Sequence, residues 1–212
     1  KATERAAQQA EQALLERIKA ELERDIPIRQ QALTPDELKL LSGYQFLTAK
    51  PMLLVANVAE GELSVSAGVE RELSEHYPGF LTVPMCAKLE MELRELSPAE
   101  AQEYREALGA TFGAVERLVS ESLRLLGLVS FLTTGPDESR AWTIQRGTLA
   151  PQAAGKVHSD IERGFIRAEV IRYEDFVNCG SEHEARKRGL LRLEGKDYIV
   201  QDGDVINFLF NV

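Results

Sequence analysis

The sequence is poor in the residues that secreted, membrane-spanning and strongly nucleic-acid-binding proteins require. Only two of the 212 residues are cysteines, Cys86 and Cys179, which are too few for a disulfide scaffold. No apolar run approaches the roughly 20 residues that cross a bilayer, and no secretory signal is recognisable. The 34 Asp and Glu residues outnumber the 25 Lys and Arg, so the net charge of −9 offers phosphate groups no overall positive field. We predict a cytoplasmic, monomeric protein that makes no membrane contact.

The sequence also lacks the motifs with which P-loop proteins hold phosphates. It contains no Gly-x-x-x-x-Gly-Lys-Ser/Thr segment, so no glycine-rich loop cradles a triphosphate and no adjacent hydroxyl holds Mg²⁺. No Asp-x-x-Gly segment follows a strand on the γ-phosphate side. Because phosphoryl transfer depends on positioning and charge neutralisation, we expect this chain by itself not to hydrolyse a nucleoside triphosphate. The first residue is Lys1 and not methionine, which agrees with the expectation that a further segment precedes it.

Residues 1–32 carry the pattern of one amphipathic helix and its end. Apolar side chains recur at every fourth position among polar ones, at Ala2, Ala6, Ala10, Leu14, Ile18 and Leu22. The pattern stops at Asp25-Ile26-Pro27. Small residues let a neighbouring helix approach closely, so one arm of an antiparallel helical hairpin is predicted. A single helix lying on a domain surface explains the periodicity equally well.

Residues 33–127 predict the alternating strands and helices of an α/β domain. Thr34-Pro35-Asp36-Glu37 and Ser97-Pro98-Ala99-Glu100 are capping boxes, in which the first hydroxyl and the last carboxylate satisfy backbone N–H groups. Apolar runs predict two buried parallel strands, at 51–56 and 80–85. The periodicity of apolar residues predicts two further helices, at 68–77 and from Phe112 to Gly127. This order is typical of a parallel βαβ sheet.

Residues 128–212 change to short strands separated by glycine turns. Strands are predicted at 128–133, 140–144, 167–171, 197–200 and 205–210. A charged helical stretch is predicted at 181–188, and a shorter helix begins near Gln152. We predict an α+β arrangement in which a small mixed sheet packs around a helix.

Two short motifs directly follow the predicted strands of the α/β part. Asn57-Val58-Ala59-Glu60 follows the strand that ends at Ala56, and Cys86-Ala87-Lys88 follows the strand that ends at Met85. Loops at the carboxyl ends of parallel strands are where α/β sheets bind ligands. A helix or turn cap explains either motif taken singly. Together they predict a site for a nucleotide base formed by Asn57, Val58, Glu60, Cys86, Ala87 and Lys88.

The motif at Asn57 departs from that of GTPases. GTPases carry Asn-Lys-x-Asp at this point, and the Asp accepts hydrogen bonds from N1–H and the 2-amino group of guanine. Here Val58 stands in place of the Lys and Glu60 in place of the Asp. Adenine has an acceptor at N1 and no 2-amino group, so it does not use this pair, and loss of the matched pair with guanine costs roughly 1–3 kcal/mol. The substitution therefore predicts that GTP is disfavoured.

Four segments towards the C-terminal end resemble a known family. They are Arg140–Thr148, Ala150–His158, Gly164–Ile171 and Gln201–Val212. Together they resemble the TGS domain of the Obg-like (YchF-type) P-loop ATPases, and the Asn-x-x-Glu motif at Asn57 is similar to the motif of that family.

The resemblance implies a fold and a set of ligands. The implied fold is α/β: the second half of a P-loop NTPase parallel sheet at 33–127 with a helical hairpin arm at 1–32, followed by an α+β, β-grasp (ubiquitin-like) TGS domain at 128–212. The implied cofactors are ATP and Mg²⁺, with the Mg²⁺ ligands in a segment N-terminal to this chain. The implied partner is the ribosome.

Basic residues of the C-terminal part are the candidates for contact with RNA or the ribosome. Residues 129–212 hold 11 basic and 13 acidic residues, compared with 14 and 21 in residues 1–128, so this part repels phosphate less. The candidates are Arg140, Arg146, Lys156, Arg163, Arg167, Arg186, Lys187 and Arg188, with Trp142, Phe165 and Tyr173 as stacking surfaces. A solvated helix face for 186–188 and core positions for the aromatics remain the alternative.

Other residue types predict little chemistry. His76, His158 and His183 are far apart and have no partners at metal-ligand spacing, so surface or capping roles are expected. Cys86 is expected to be a buried, inert thiol.

Two functions follow from these patterns. In the first, the chain is the C-terminal portion of an Obg-like ATPase that binds ATP in preference to GTP, hydrolyses it in the intact protein, and regulates translation or stress responses at the ribosome. In the second, it is a non-enzymatic module that binds the ribosome or its RNA through the β-grasp domain, and the α/β part is structural.

Overall fold

The computed structural model describes residues 2–108, 113–135 and 138–211, apart from the side chains of residues 2–4 and 64. Contacts divide the chain into two units, Lys1–Leu54 and Val55–Val212. The sequence boundaries at 32/33 and 127/128 stay predictions. Within the described residues, every helix is too short or too polar to cross a membrane.

The first unit is a long helix packed on a short turn and a second helix. It contains α1 (Ala2–Leu22), a 3-10 turn (Ile28–Gln30), α2 (Pro35–Leu41) and two further 3-10 turns (Ser42–Tyr44 and Leu47–Ala49). The predicted capping box is confirmed, because Thr34 N–H donates to Glu37 Oε2 over 2.8 Å and Glu37 N–H donates to Thr34 Oγ1 over 3.3 Å. Its buried core is Leu14, Ile18, Ile28 and Leu41. The hairpin arm stays a prediction.

The second unit begins with a two-stranded sheet and the helices around it. Its elements are β1 (Leu53–Asn57), a 3-10 segment (Glu60–Val65), α3 (Ser66–His76), β2 (Leu81–Met85), α4 (Ala87–Leu93), α5 (Pro98–Ala107) and α6 (Ala114–Leu125). The capping box at Ser97 is confirmed, with Ser97 N–H donating to Glu100 Oε2 over 2.9 Å. Phe112, which was predicted on the last of these helices, lies outside the described residues.

The prediction that β1 is buried is wrong. Val55 at its centre is 45% exposed, whereas Val83 at the centre of β2 is fully buried. In the sheet of the described residues, β2 is the strand neighbour of β1, so one edge of β1 carries no further strand. An apolar sequence alone does not bury a strand that has a neighbouring strand on only one of its two edges.

A small apolar cluster holds the helices that follow β2. Cys86, Leu89, Leu93 and Ala101 are buried together, and Leu63 and Leu108 pack against them. Glu90 adds a polar contact, because its Oε1 accepts from the N–H of Ala114 at the start of α6 over 3.0 Å. Residues of α4, α5 and the 3-10 segment therefore share one core.

The rest of the second unit is a five-stranded mixed sheet with helices. Its elements are β3 (Leu128–Thr134), β4 (Ser139–Gln145), α7 (Ala150–Val157), α8 (Ser159–Arg163), β5 (Phe165–Arg172), α9 (Tyr173–Cys179), α10 (Glu182–Lys187), β6 (Arg192–Glu194) and β7 (Asp204–Phe210). The strand order is β4-β3-β7-β5-β6. β7 runs parallel to β3, and the other pairs are antiparallel. The predicted mixed sheet is confirmed, and β7 occupies its centre.

One face of this sheet packs against α7. Ala150, Ala153 and Ala154 are fully buried on that helix, so small side chains allow it to lie close to the strands. Phe131 and Phe208 meet edge to face, with ring centroids 5.8 Å apart. Edge-to-face contact between aromatic rings adds to the stabilisation from burial. The predicted packing of a sheet around a helix near Gln152 is therefore confirmed.

The strand predicted at 197–200 is wrong, and β6 at 192–194 takes its place. The 197–200 segment bonds instead to the start of α7: Ala150 N–H donates to Tyr198 O over 2.8 Å, and Val200 N–H donates to Thr148 O over 3.0 Å. The buried Asp204 fixes the same segment, because its Oδ2 accepts from the Tyr198 hydroxyl over 2.7 Å. The two backbone bonds form an isolated antiparallel bridge between Leu149 and Ile199, so the segment pairs with the residues before α7 and not with a strand of the sheet.

Candidate functional site

The two motifs predicted at successive strand ends lie against each other. Asn57 Oδ1 accepts a hydrogen bond from Ala87 N–H over 3.0 Å, and Val58 N–H donates to Met85 O over 2.9 Å. We call residues 57–60 and 86–88 the base-site loops. Residues some 30 positions apart in the sequence are thus joined by one backbone contact and one side-chain contact.

Within the second loop, only part of the predicted set is accessible. Cys86 is 4% exposed and belongs to the apolar cluster with Leu89, so its thiol faces the protein interior, as expected. Ala87 and Lys88 are exposed. Lys88 Nζ lies 3.7 Å from Glu92 Oε1, an exposed ion pair one helical turn away. Backbone groups and the Lys88 side chain are what this loop can offer a ligand.

Glu60 has a partner that sequence reasoning missed. The Tyr104 hydroxyl, on α5, donates to Glu60 Oε1 over 3.3 Å. The negative charge of Glu60, together with this hydrogen bond, raises the pKa of Tyr104. The contact joins residues 44 positions apart, and no sequence motif around Tyr104 indicates it. The only available signal was the helical phase of α5, which places Tyr104 one turn after the buried Ala101.

The chemistry of these loops suits a flat heterocycle and does not suit a metal ion. Because Asn57 Oδ1 accepts from Ala87, its Nδ2 hydrogens are the groups left to meet a ring acceptor. Val58 is half-buried beside Asn57 and offers an apolar contact. Among the described residues, no group of three or more His, Cys, Asp or Glu side chains comes close enough together to hold a metal.

Arg140 and Trp142 form a cation–π pair on β4, an outer strand of the sheet, in which Arg140 is exposed and Trp142 is partly buried against the core. The Arg140 guanidinium lies 4.3 Å from the centroid of the Trp142 ring, and the indole N–H donates to Thr133 Oγ1 over 2.9 Å. Arg146 lies just beyond the other end of the strand, and Lys156 is exposed in the last turn of α7. Within the described residues, no carboxylate pairs with Arg140, Arg146 or Lys156.

The run at 186–188 divides into two paired arginines and one accessible lysine. Arg186 lies 2.7 Å from Glu169 Oε1 and 3.1 Å from Glu182 Oε1, and Glu169 is 8% exposed. Arg188 lies 3.3 Å from Glu184 Oε1. Lys187 is exposed and has no carboxylate partner among the described residues. The charge that this run presents to solvent is therefore smaller than its sequence indicates.

The structure also separates the predicted stacking surfaces. Phe165 is 5% exposed within the core, so its prediction as a stacking surface is wrong, because its ring packs against Phe208. Tyr173 is half-exposed at the start of α9. His158 Nδ1 accepts from Asp160 N–H over 3.2 Å at the start of α8, which is the capping role expected for a histidine here.

Comparison with known proteins identifies relatives for nearly the whole chain. Residues 128–211 match the family model YchF-GTPase_C, described as a protein of unknown function (DUF933). The chain is 45% identical over 204 residues to the ribosome-binding ATPase YchF of Haemophilus ducreyi, covering 95% of this chain and 56% of that protein. It is 43% identical over 180 residues to Obg-like ATPase 1 of Homo sapiens, covering 82% of this chain and 45% of that protein.

A solved structure extends the likeness to three dimensions. The YchF GTPase of Schizosaccharomyces pombe superposes with a TM-score of 0.81 at 30% sequence identity, covering 96% of this chain and 55% of that one. The chain thus spans about half the length of the relatives that it matches.

Proposed function

The chain belongs to the YchF-type family of Obg-like ATPases, and from that membership we propose that it is the C-terminal portion of an ATPase. In the intact protein, this portion binds the adenine of ATP in preference to the guanine of GTP. Hydrolysis then regulates contact with the ribosome in translation or stress responses. The names of two relatives, a ribosome-binding ATPase and an Obg-like ATPase, support this assignment.

The hydrogen bond between Asn57 Oδ1 and Ala87 N–H carries the proposal for the site. It brings together the two strand-end motifs that the sequence separates. It also fixes the side-chain amide of Asn57 so that its Nδ2 can donate to a ring nitrogen of the base. Glu60 lies in the same loop and disfavours guanine, as argued from its place in the motif.

In this proposal, the phosphates of ATP and the Mg²⁺ ion are held outside the chain. The sequence has no P-loop, and the described residues hold no metal cluster. The α/β residues 33–127 therefore contribute base recognition, and residues 128–212 form a TGS domain of the β-grasp type. The phosphate-binding residues belong to a segment that precedes Lys1 in the intact protein.

Two substitutions of Asn57 in the intact protein test the site. Asn57→Ala removes both the tether to Ala87 and the amide donor, and we expect ATP affinity to fall about tenfold, by isothermal titration calorimetry. Asn57→Asp keeps an acceptor for Ala87 N–H and removes the donor, so it separates loop geometry from base contact. Unchanged ATP affinity in Asn57→Ala would show that the base-site assignment is wrong.

The second candidate function, a non-enzymatic ribosome-binding or RNA-binding module, is favoured by the Arg140–Trp142 pair. The exposed Arg140 guanidinium, stacked on the partly buried indole of Trp142, offers RNA a charged and planar group held in place by the ring beneath it. Further candidate contacts are Arg146, Lys156 and Lys187. Arg186 and Arg188 contribute where each leaves its carboxylate partner and binds a phosphate group of the RNA instead. The α/β part is structural in this alternative.

Ribosome co-sedimentation tests the contact surface. Arg140→Glu combined with Arg146→Glu is expected to lower pelleting with ribosomes, because both side chains lack a described carboxylate partner. Lys187→Glu tests the 186–188 run without breaking the Arg186–Glu169 ion pair. Pelleting equal to wild type in both variants would remove these residues from the proposed contact.

A further inference from the structure

Tyr104 reaches the base-site loops from a separate helix. Its hydroxyl donates to Glu60 Oε1 over 3.3 Å, and its side chain is 45% exposed. The Glu60 charge raises the pKa of Tyr104, which favours the protonated hydroxyl that donates this bond. One oxygen of Glu60 is therefore engaged before a ligand arrives.

The position of this hydrogen bond is fixed by the apolar cluster beneath it. Leu63 follows Glu60 by three residues, and Ala101 precedes Tyr104 by three residues. Both Leu63 and Ala101 pack in the cluster that contains Cys86 of the second loop. Residues three apart on α5 lie on neighbouring parts of one helix face, so the burial of Ala101 sets the position of Tyr104. One small core thus places the donor and its acceptor.

We propose that Tyr104 is a specificity-determining residue, which holds Glu60 in an arrangement that disfavours guanine. Guanine presents two adjacent donors, N1–H and the 2-amino group, and a carboxylate must offer both oxygens to accept them. The hydroxyl that donates to Glu60 Oε1 occupies one lone-pair site of that oxygen and orients the carboxylate, so it competes with the reorientation that a paired contact with both donors requires. Adenine has no 2-amino group and makes no such paired demand, so the competition affects GTP more than ATP. The inference rests on the proposed base site.

The substitution Tyr104→Phe in the intact protein tests this role. Phenylalanine keeps the ring and removes only the hydroxyl, so the fold and the surface are retained. We expect GTP affinity to rise by roughly three- to tenfold relative to ATP, the range of one ordinary hydrogen bond, because this one is long and solvent-exposed. Binding of both nucleotides is measured by calorimetry. The matched control is Tyr77→Phe, which removes an exposed hydroxyl for which the described residues provide no partner, and it should leave the ratio unchanged.

A double substitution establishes whether Tyr104 acts through Glu60. In a Glu60→Gln background, Tyr104→Phe should no longer change the ratio of GTP to ATP affinity, because the carboxylate it releases is absent. A gain for GTP that persists in this background would overturn the proposal, as would an unchanged or lower ratio in Tyr104→Phe alone.

The outcomes also distinguish this proposal from the proposed function. If Asn57→Ala weakens ATP binding and Tyr104→Phe leaves the ratio unchanged, the base site stands and the role of Tyr104 is wrong. If Asn57→Ala leaves ATP affinity unchanged, the base site fails and the role of Tyr104 fails with it.

Discussion

Residues 55–127 and residues 128–211 belong to the same unit and differ in how much core they build. The C-terminal region, residues 128–211, has a cluster of twelve buried residues under a five-stranded sheet. In residues 55–127, the described cluster has four buried members, and neither α3 nor α6 buries a described side chain. Two-stranded sheets contribute little stability by themselves. The C-terminal region is therefore stabilised mainly by its own buried core, whereas residues 55–127 depend more on polar contacts near the surface.

The base-site loops lie in the region with less core. Polar contacts such as Asn57–Ala87 and the Arg117–Glu70 ion pair, with 2.7 Å between Nη2 and Oε1, connect its elements. Each such contact near the surface adds about 1 kcal/mol or less. Regions with few buried contacts open at low free energy, and a ligand that binds the closed form stabilises it. Under the proposed function, a nucleotide bound at the base-site loops would therefore stabilise residues 55–127 more than the C-terminal region.

The largest expected effect is that of Phe131→Ala, which removes a fully buried ring from the C-terminal core. A substitution of this kind costs about 3–5 kcal/mol of unfolding free energy, because a cavity replaces packed atoms. Urea unfolding followed by the fluorescence of Trp142, the single tryptophan, measures it. Phe210→Ala is the matched control, because Phe210 is 46% exposed. Equal losses in the two variants would contradict the role of Phe131 in the buried core of the C-terminal region.

The next effect is that of Arg186→Glu, which places a second carboxylate against the buried Glu169. The hydrogen bond to Glu169 raises the pKa of Arg186, which marks the attraction that the substitution reverses. We expect a lower urea midpoint by the same fluorescence measurement, with a smaller shift than in Phe131→Ala. Lys187→Glu changes the same net charge and should leave the midpoint near wild type. A shift of equal size in both variants would mean that the ion pair does not stabilise the sheet.

A smaller, stabilising effect is expected for Gly68→Ala in the less buried region. Gly68 lies on α3, where an added Cβ would meet nothing within 4 Å. Alanine lowers the conformational entropy of the unfolded chain and favours the helix, so the free energy of unfolding should rise by about 0.5–1 kcal/mol. Calorimetric melting measures the gain. Gly79→Ala, at a φ of +90°, should instead lower stability. A loss of stability in Gly68→Ala would contradict the open surroundings of this helix.

The last effect concerns Tyr198, whose hydroxyl donates to the carboxylate of the buried Asp204. Burial, followed by the hydrogen bond to Asp204, raises the pKa of Tyr198 to about 12. Because the folded pKa lies above the unfolded value, the neutral phenol stabilises the fold fully below pH 10, and this contribution is lost as pH rises through about 12. Ultraviolet titration of phenolate formation, compared with Tyr198→Phe, measures it. Ionisation of Tyr198 near pH 10 would contradict the burial of its hydroxyl beside Asp204.

Local features of the fold were predictable from the sequence. The capping boxes at Thr34 and Ser97 follow a four-residue rule, and both form as predicted. The strands at 128–134 and 204–210 were predictable because their alternating apolar residues face a large core. By contrast, the burial of β1 depends on whether other strands lie beside it, which its own five residues do not specify.

Contacts between distant residues were not predictable from one sequence. The Glu60–Tyr104 hydrogen bond depends on how α5 packs on Cys86 and Leu63. The Arg186–Glu169 pair turns one member of an apparently basic run into a contact within the protein. The proximity of Asn57 and Ala87 was predictable, because consecutive strand ends meet at one edge of a sheet.

The central place of β7 has a consequence for the order in which the sheet is assembled. β3 and β5 are both synthesised before β7, which lies between them in the sheet. The sheet therefore cannot grow strand by strand during synthesis, and its closure depends on contacts that are distant in the chain and slow to form. A truncation before Asp204 would remove the middle of the sheet and not an edge, so we expect it to abolish folding of the C-terminal region as a whole.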